Sequence, residues 1–297
     1  MGIKKHFSFI SVLFLFAFFC VSCATQNMAQ AAQKMSLNTI KNFLPMVINS
    51  GEAKLRSKPG DWTQSIETGS YCVMYANAFI QGPASMLAAN DYQKRDKAYQ
   101  RAKKEYLRGV KILRTAFNKK YPGVNEAYGK GELNQFLTKF TKDDAGMIYW
   151  LVAGTMAAFS INPMDVSLGV KLPELTALIK RAYELDPDYS EGSLDDFFIL
   201  FYGSLPPEMG GDKAKAKIHY EAAIKKSAGR SAGPYVSWAK TINIPEQNYR
   251  EFKENLNKAL AIDPEAYLPL RLNNLIAQKT ARHLLKTAEY HFINIEE

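Results

Sequence analysis

The chain has 297 residues, 47% of them apolar and 12% aromatic, which is enough for one large domain or two small ones. This composition, with no low-complexity block, excludes an extensively disordered protein. The net charge of +9 is modest for the length, and the Lys and Arg residues are scattered, so we expect no nucleic-acid partner.

The N-terminus has the pattern of a bacterial export signal. Lys4 and Lys5 precede an apolar run at 7–19, which is too short to cross a bilayer with ease. We predict a signal peptide at 1–22 and a polar tether at 23–34, with simple cleavage or a retained anchor helix as the alternatives.

Two of the three cysteines lie at the end of this segment. The sequence Cys20-Val21-Ser22-Cys23 is similar to a bacterial lipobox, although Cys20 stands where leucine is usual. We therefore predict that Cys23 carries a lipid, which anchors the protein to a bacterial membrane without a spanning helix. Cys72 is then the remaining thiol, and the apolar run around it predicts a small core residue.

From about Met35 onward the pattern predicts one helical domain, over 35–297. Long segments such as 91–119 combine helical periodicity with strong helix formers, and the breaks between segments fall at Pro and Gly. We find no repeated alternation of apolar and polar residues between hairpin turns, which an all-β or α/β domain would show.

Three predicted helices share one spacing of apolar residues. They contain Leu175-Ile179-Ala182 before Pro187, Ala216-Tyr220-Ala223 before Gly229, and Phe252-Leu256-Ala259 before Pro264. This is the pattern of the second helix of a tetratricopeptide repeat, at a repeat length slightly above ~34 residues. We therefore predict an all-α, tetratricopeptide-like helix-pair solenoid, with a C-terminal capping helix from Leu268 to about Phe292.

An apolar helix precedes each of these three helices, at 147–160, 194–204 and 234–242. Such first helices line the concave face of a solenoid, which is its usual binding surface. We name four of their aromatic residues as candidate ligand contacts: Trp150, Phe198, Tyr202 and Trp238. The alternative is that these side chains are simply core.

The run Gly229-Arg230-Ser231-Ala232-Gly233 fits the G-x-S-x-G pattern of a hydrolase nucleophile elbow. A true elbow lies between a strand and a helix, whereas a predicted helix precedes Ser231. We interpret Gly229 as the glycine that ends this helix and Pro234 as part of the first turn of the next. We therefore expect no catalytic residue and a protein that is not an enzyme.

Polar residues on the last helix offer weaker signals. Asn274, Gln278 and Arg282 recur every fourth residue and so share a face, which indicates either a partner or subunit surface or a stripe that bonds neighbouring backbone. His283 and His291 lie two turns apart without the further ligands of a metal motif. We expect neither a metal nor a cofactor.

Several stretches together resemble one family, the T component of tripartite ATP-independent periplasmic (TRAP) transporters, or TatT lipoproteins. They are "DDAGMIYWLVAGTMAAF" at 143–159, "LPPEMGGD" at 205–212, "HYEAAIKKSAGRSAGPYVSWA" at 219–239, the pattern F-x3-L-x2-AL-x-IDP at 252–264, and "RLNNLIAQKTARHLL" at 271–285. The lipobox at Cys23 also fits this family.

The resemblance implies a helical lipoprotein that works beside a TRAP transporter. It implies association with the periplasmic solute-binding protein, assembly as a homotrimer with a pore, and a hydrophobic organic acid as ligand. It supplies no ligand-contact motif. A second hypothesis is a tetratricopeptide lipoprotein that scaffolds envelope assembly and binds a protein or peptide.

Overall fold

The computed structural model describes residues 35–295, and these residues form helices, turns and no strand. The prediction of an all-α fold is therefore confirmed for this part of the chain. The eleven helices that we number are α1 Leu37–Ser57, α2 Trp62–Tyr75, α3 Tyr92–Lys120, α4 Val124–Lys130, α5 Ala145–Ile161, α6 Leu172–Leu185, α7 Ser193–Ser204, α8 Lys213–Lys226, α9 Gly233–Trp238, α10 Tyr249–Ala261 and α11 Leu268–Lys286. The predicted signal peptide, tether and Cys23 lie outside the described residues.

Side-chain caps set where several helices begin. Ser36, Asp61, Asp212 and Asn248 each accept a hydrogen bond from the backbone N–H three residues later. Such a cap satisfies one of the free N–H groups of the first turn and stabilises the helix by about 1 kcal/mol. Short polar residues before apolar periodic segments thus divide the chain into its helices.

Helices that are neighbours in the chain pack against one another. α2 packs on α1 and α3, α5 on α3 and α6, α7 on α8 and α9, and α10 on α9 and α11. Ala182, Ala223 and Ala259, the alanines of the repeated pattern, are all buried, as a close helix approach requires. These contacts are compatible with a solenoid of helix pairs, which remains a prediction.

Glycines permit the closest crossings in the N-terminal half. A β carbon at Gly109 of α3 would lie 2.6 Å from the carbonyl oxygen of Gly69 in α2. One at Gly154 of α5 would lie 2.8 Å from a methyl carbon of Val73. At both crossings an added methyl group would overlap an atom of α2, so α3 and α5 each lie very close to α2.

Among the described residues, one segment is long and apolar enough to cross a membrane, Lys142–Ile161. Half of it is buried inside the protein. Met147, Ile148, Leu151 and Val152 belong to the main core cluster, between α3 and α6. These contacts identify α5 as a core helix of the folded domain.

The turn after α8 takes a left-handed conformation over two residues. Ala228 and Gly229 have φ of 50° and 71°, and the Gly229 N–H donates to the carbonyl of Ile224. Gly233 then starts α9, with Pro234 in its first turn. The prediction of a joint between two helices is confirmed, and the strand that a nucleophile elbow needs is replaced by α8 before Ser231.

One helix end differs from expectation. The last helix stops at Lys286 and is followed by a 3-10 turn at Ala288–Tyr290, because the Thr287 hydroxyl bonds the carbonyl of His283 and the helical φ and ψ angles end there.

Cys72 is fully buried, as predicted for a core residue.

Candidate functional site

Helix α7 has two faces of different character. Leu194, Phe198 and Ile199 point into the core and are almost completely buried. Phe197 keeps partial access to solvent and Leu200 is exposed, on the opposite side of the helix. The two acidic residues of the first turn are divided between these faces, Asp195 with the core and Asp196 with the accessible side.

Asp195 is the centre of a buried ion-pair network. Its two carboxylate oxygens lie 2.7 Å from His219 Nδ1 and 2.7 Å from the Lys226 ammonium, both on α8. Lys226 also donates to the carbonyl of Pro187 and to the Tyr183 hydroxyl. Burial alone would raise the pKa of Asp195, but these donors outweigh it and hold the pKa below the usual carboxyl value.

Aromatic rings surround this network. The His219 ring stacks on Phe198 at 4.6 Å and on Tyr202 at 5.8 Å, and meets the edge of Tyr183 at 5.2 Å. Because the rings shield the ion pairs from water, the network fixes α7 on α8. The arrangement is that of a structural polar core.

Asp196 faces a different environment. Its Oδ1 accepts a hydrogen bond of 2.6 Å from the Ser237 hydroxyl of α9. Burial by the surrounding protein raises the pKa of Asp196 to about 6, against the lowering effects of Ser237 and Lys240. The residue is nevertheless only half-buried.

Lys240 also combines access to solvent with an effect of burial on its pKa. It lies three residues after Ser237, in a π-helical turn at Ala239–Asn243 that continues α9. The side chain is exposed, yet desolvation by the surrounding protein lowers its pKa. The charge of each of these two groups, Asp196 and Lys240, also acts on the pKa of the other, against the effect of burial.

Three aromatic residues contact one another beside α7, and the Asp196 charge acts on one of them, Tyr149. The Tyr149 ring lies 5.1 Å from Trp150 and 5.4 Å from Tyr189. Burial raises the pKa of Tyr149, and the charges of Tyr189 and Asp196 raise it further. We define the α7 recess as Tyr149, Trp150, Tyr189, Asp196, Phe197, Leu200 and Lys240.

The recess combines three kinds of contact. Phe197 and Leu200 offer apolar surface, and the phenol and indole rings add amphipathic surface. Asp196 supplies a carboxyl group and Lys240 supplies an amine. Among the described residues the two do not form a direct ion pair, and Asp196 accepts its hydrogen bond from Ser237. This is the composition of a small-molecule site, apolar with a few polar groups that fix orientation. A π-helical turn at its edge fits such a role, because these turns often occur at functional sites.

Comparison with known proteins decides the family. The model of the TRAP transporter T-component family matches residues 33–292. The chain belongs to this family. An uncharacterized protein of Treponema pallidum (strain Nichols) is 31% identical over 261 residues, which cover 87% of this chain and 81% of that relative. The resemblance noted in the sequence is thereby confirmed, and a T component is an accessory part of a TRAP transporter.

The predicted ligand contacts of this T component fall into two groups. Trp150 lines the α7 recess, next to Tyr149 and Tyr189. Phe198, Tyr202 and Trp238 are buried in the main core cluster, and the Trp238 indole donates to Glu251. Their contacts are those of the alternative that we kept open, core side chains.

The predicted partner surface on α11 is wrong for two of its three residues. Asn274 and Gln278 are buried. Asn274 bonds the backbone of Ala232 and Arg230, and Gln278 donates to the carbonyls of Ala259 and Ile262. They therefore satisfy backbone groups at the ends of neighbouring helices of the T component. Arg282 alone is exposed.

Sequence reasoning missed Asp196, Ser237 and Lys240. Asp196 comes from α7, whereas Ser237 and Lys240 come from α9 and the π-helical turn that continues it, and the three belong to no recognised motif. One signal was present: an Asp-Asp pair in the first turn of an apolar helix, where helical geometry turns the second carboxylate about 100° away from the first.

Proposed function

We propose that this T component holds a hydrophobic organic acid in the α7 recess and docks the solute-binding protein of its TRAP transporter. The observation that carries the proposal is membership of the T-component family, and the side of α7 that bears Asp196 adds accessible apolar side chains, Phe197 and Leu200. Lipid attachment at Cys23 on the periplasmic side of the membrane and assembly as a homotrimer are parts of the same proposal.

The physical basis of ligand binding is burial of the ligand's apolar part. Contact with Phe197, Leu200 and the Trp150 ring removes apolar surface from water, at roughly 25 cal/mol per Å². The ligand's charged end stays near the polar groups of the recess, which avoids leaving a charge without a partner. An organic acid with an aliphatic or aromatic body meets both conditions.

The test is purification of the full chain from bacterial membranes in mild detergent, followed by mass spectrometry of bound proteins and small molecules. We expect the solute-binding protein of a TRAP system and an organic acid. Purification without either would contradict the proposal.

A matched pair of variants separates the two parts of the proposal. Leu200→Glu places a charge on the apolar wall at an exposed position, so we expect the acid to be lost while the protein partner is retained. Lys94→Gln changes an exposed residue of α3, and we expect both to be retained. Retention of the acid by Leu200→Glu would show that the ligand lies elsewhere.

A further inference from the structure

We infer that one face of this T component lies on the surface of a bilayer that contains anionic lipids. The face consists of a turn at 164–170, which projects apolar side chains, and of the exposed lysines of α3 beside it. No residue of the α7 recess belongs to this face, so the inference is independent of ligand binding there.

The first component is the turn between α5 and α6, which we call the apolar turn. Its side chains Met164, Val166 and Val170 are 88%, 74% and 67% exposed. Single exposed apolar residues are ordinary in soluble proteins, whereas a contiguous exposed apolar patch marks a surface that contacts another protein or a membrane. Three such residues in one short turn form a patch of this kind.

Hydrogen bonds and one buried side chain hold the apolar turn in a fixed shape. The Asp165 carbonyl accepts from the N–H groups of Leu168 and Gly169, at 3.0 and 2.9 Å, and the Ser167 hydroxyl donates to the Asp165 carboxylate. The Leu168 side chain is buried in a core cluster that includes Ala102 of α3. Because Leu168 anchors the turn from inside, the exposed apolar side chains project away from the core.

The second component is α3, to which an ion pair joins the apolar turn. The Lys103 ammonium lies 2.7 Å from the Asp165 carboxylate. Of the 38 Lys and Arg residues in the chain, α3 holds eleven, against two acidic residues, Asp96 and Glu105. This excess of nine positive charges equals the net charge of the whole chain, +9. The remainder of the chain is therefore neutral on balance.

Part of this charge is not neutralised by the protein. Lys97, Lys104 and Lys111 are exposed and recur every seventh residue, so they form a stripe along one face of α3. Between residues 35 and 295 their ammonium groups have no hydrogen bond or ion pair. The exposed Leu107 lies on the same stripe, one turn after Lys103. The stripe thus passes beside the apolar turn.

The type of cation favours a lipid surface over a folded protein partner. Lysine is a point charge on a flexible stem, which can follow a fluid layer of phosphate groups, whereas the rigid fork of arginine suits a fixed partner. Three arginines of α3 already bond side chains of the protein: Arg101, Arg108 and Arg114. The cations left free on the stripe are lysines.

The apolar turn complements these charges. Methionine and valine side chains that project from a turn can enter the headgroup layer while neighbouring lysines meet anionic lipids. The lipid proposed at Cys23 would keep this face within reach of a bilayer, because the residues from 24 to 34 span at most ~40 Å.

The experiment uses tryptophan as a depth probe in the full chain, purified from bacterial membranes and reconstituted into vesicles. Val166→Trp places the probe on the apolar turn, and Ile218→Trp places it on α8, at a position that is 64% exposed. The vesicles contain phosphatidylcholine with brominated acyl chains, which quench tryptophan inside the membrane, and about 30% phosphatidylglycerol. Relative to the unchanged chain, we expect Val166→Trp to add about fivefold more quenching than Ile218→Trp.

A matched pair of double variants tests the lysines in the Val166→Trp chain. Lys97→Gln with Lys104→Gln should reduce the added quenching about threefold or more, as should vesicles without phosphatidylglycerol. Lys258→Gln with Lys279→Gln removes the same charge from exposed positions of α10 and α11, and it should leave the quenching unchanged.

Several results would overturn the inference. These are equal quenching at the two probe positions, no quenching at either, equal quenching without phosphatidylglycerol, or no effect of the α3 lysine changes. A Val166→Trp emission that shifts with protein concentration in detergent would assign the turn to a second copy of the chain. A shift on addition of the solute-binding protein would assign it to that partner, and either shift would overturn the inference. Ligand binding and docking are measured separately, so their failure is distinguishable from failure here.

Discussion

Two adjacent carboxyl groups, Asp195 and Asp196, show how far local environment decides the behaviour of a side chain. His219 and Lys226 both hydrogen-bond to Asp195, and these bonds hold its pKa below the usual value although burial acts in the opposite direction. Burial dominates at Asp196 and raises its pKa to about 6. The folded protein therefore favours the ionised form of Asp195 and disfavours the ionised form of Asp196.

We predict that Asp195→Asn lowers the free energy of unfolding by about 3 kcal/mol at neutral pH, because Lys226, which is 18% exposed, loses its closest carboxylate partner. Asp195 contributes this stability only when it is ionised. The folded pKa is depressed, so the difference between the unchanged protein and the variant should shrink as the pH falls below about 4. Urea unfolding at a series of pH values measures it, and a difference that persists in acid would contradict the assignment.

The opposite sign is expected for Asp196→Asn. The raised pKa means that ionising Asp196 costs folding free energy as the pH rises from about 4 to about 6. Solvent access reduces this cost, so we expect the variant to be more stable by about 1–2 kcal/mol at pH 7.5. The two proteins should be equally stable in acid. Lower stability of the variant at neutral pH would show that the ionised group is favourable in the fold.

At the scale of the helices, close crossings limit which residues the chain tolerates. Gly109 brings α3 onto the backbone of α2, and a methyl group there would overlap the Gly69 carbonyl. We predict that Gly109→Ala destabilises the protein by about 1–3 kcal/mol despite the better helix propensity of alanine.

Gly129 provides the matched control for this prediction. It lies in α4 with open space where a β carbon would be, so Gly129→Ala should stabilise by about 0.5–1 kcal/mol. Thermal unfolding of both variants measures the contrast. Equal effects of the two changes would mean that the crossing at Gly109 is not tight.

The helices themselves were largely predictable. Caps such as Asp212 and breaks such as Gly229 depend on local backbone chemistry, which a sequence displays directly. Which face of each helix is buried was harder to predict from the sequence. Asn274 and Gln278 looked like a polar surface stripe, but neighbouring helix ends need their hydrogen bonds, and only the packed structure shows where those ends lie.

At the scale of the whole molecule, the α7 recess depends on residues that are distant in the chain. Tyr149, Asp196 and Lys240 come from α5, α7 and the turn after α9, and no pattern in the sequence relates them. Trp150 was named from the sequence because aromatic residues on first helices were expected to line a binding face. Family membership was recognisable from several matching segments, since they extend over much of the C-terminal half.

We propose above that this T component docks the solute-binding protein of a TRAP transporter. The most direct measurement is binding of the purified full chain in detergent to the purified solute-binding protein of the same bacterium's TRAP system, with a solute-binding protein of an unrelated transporter as control. We expect a saturable complex with the TRAP protein and none with the control. No complex with either protein, or equal binding to both, would contradict it.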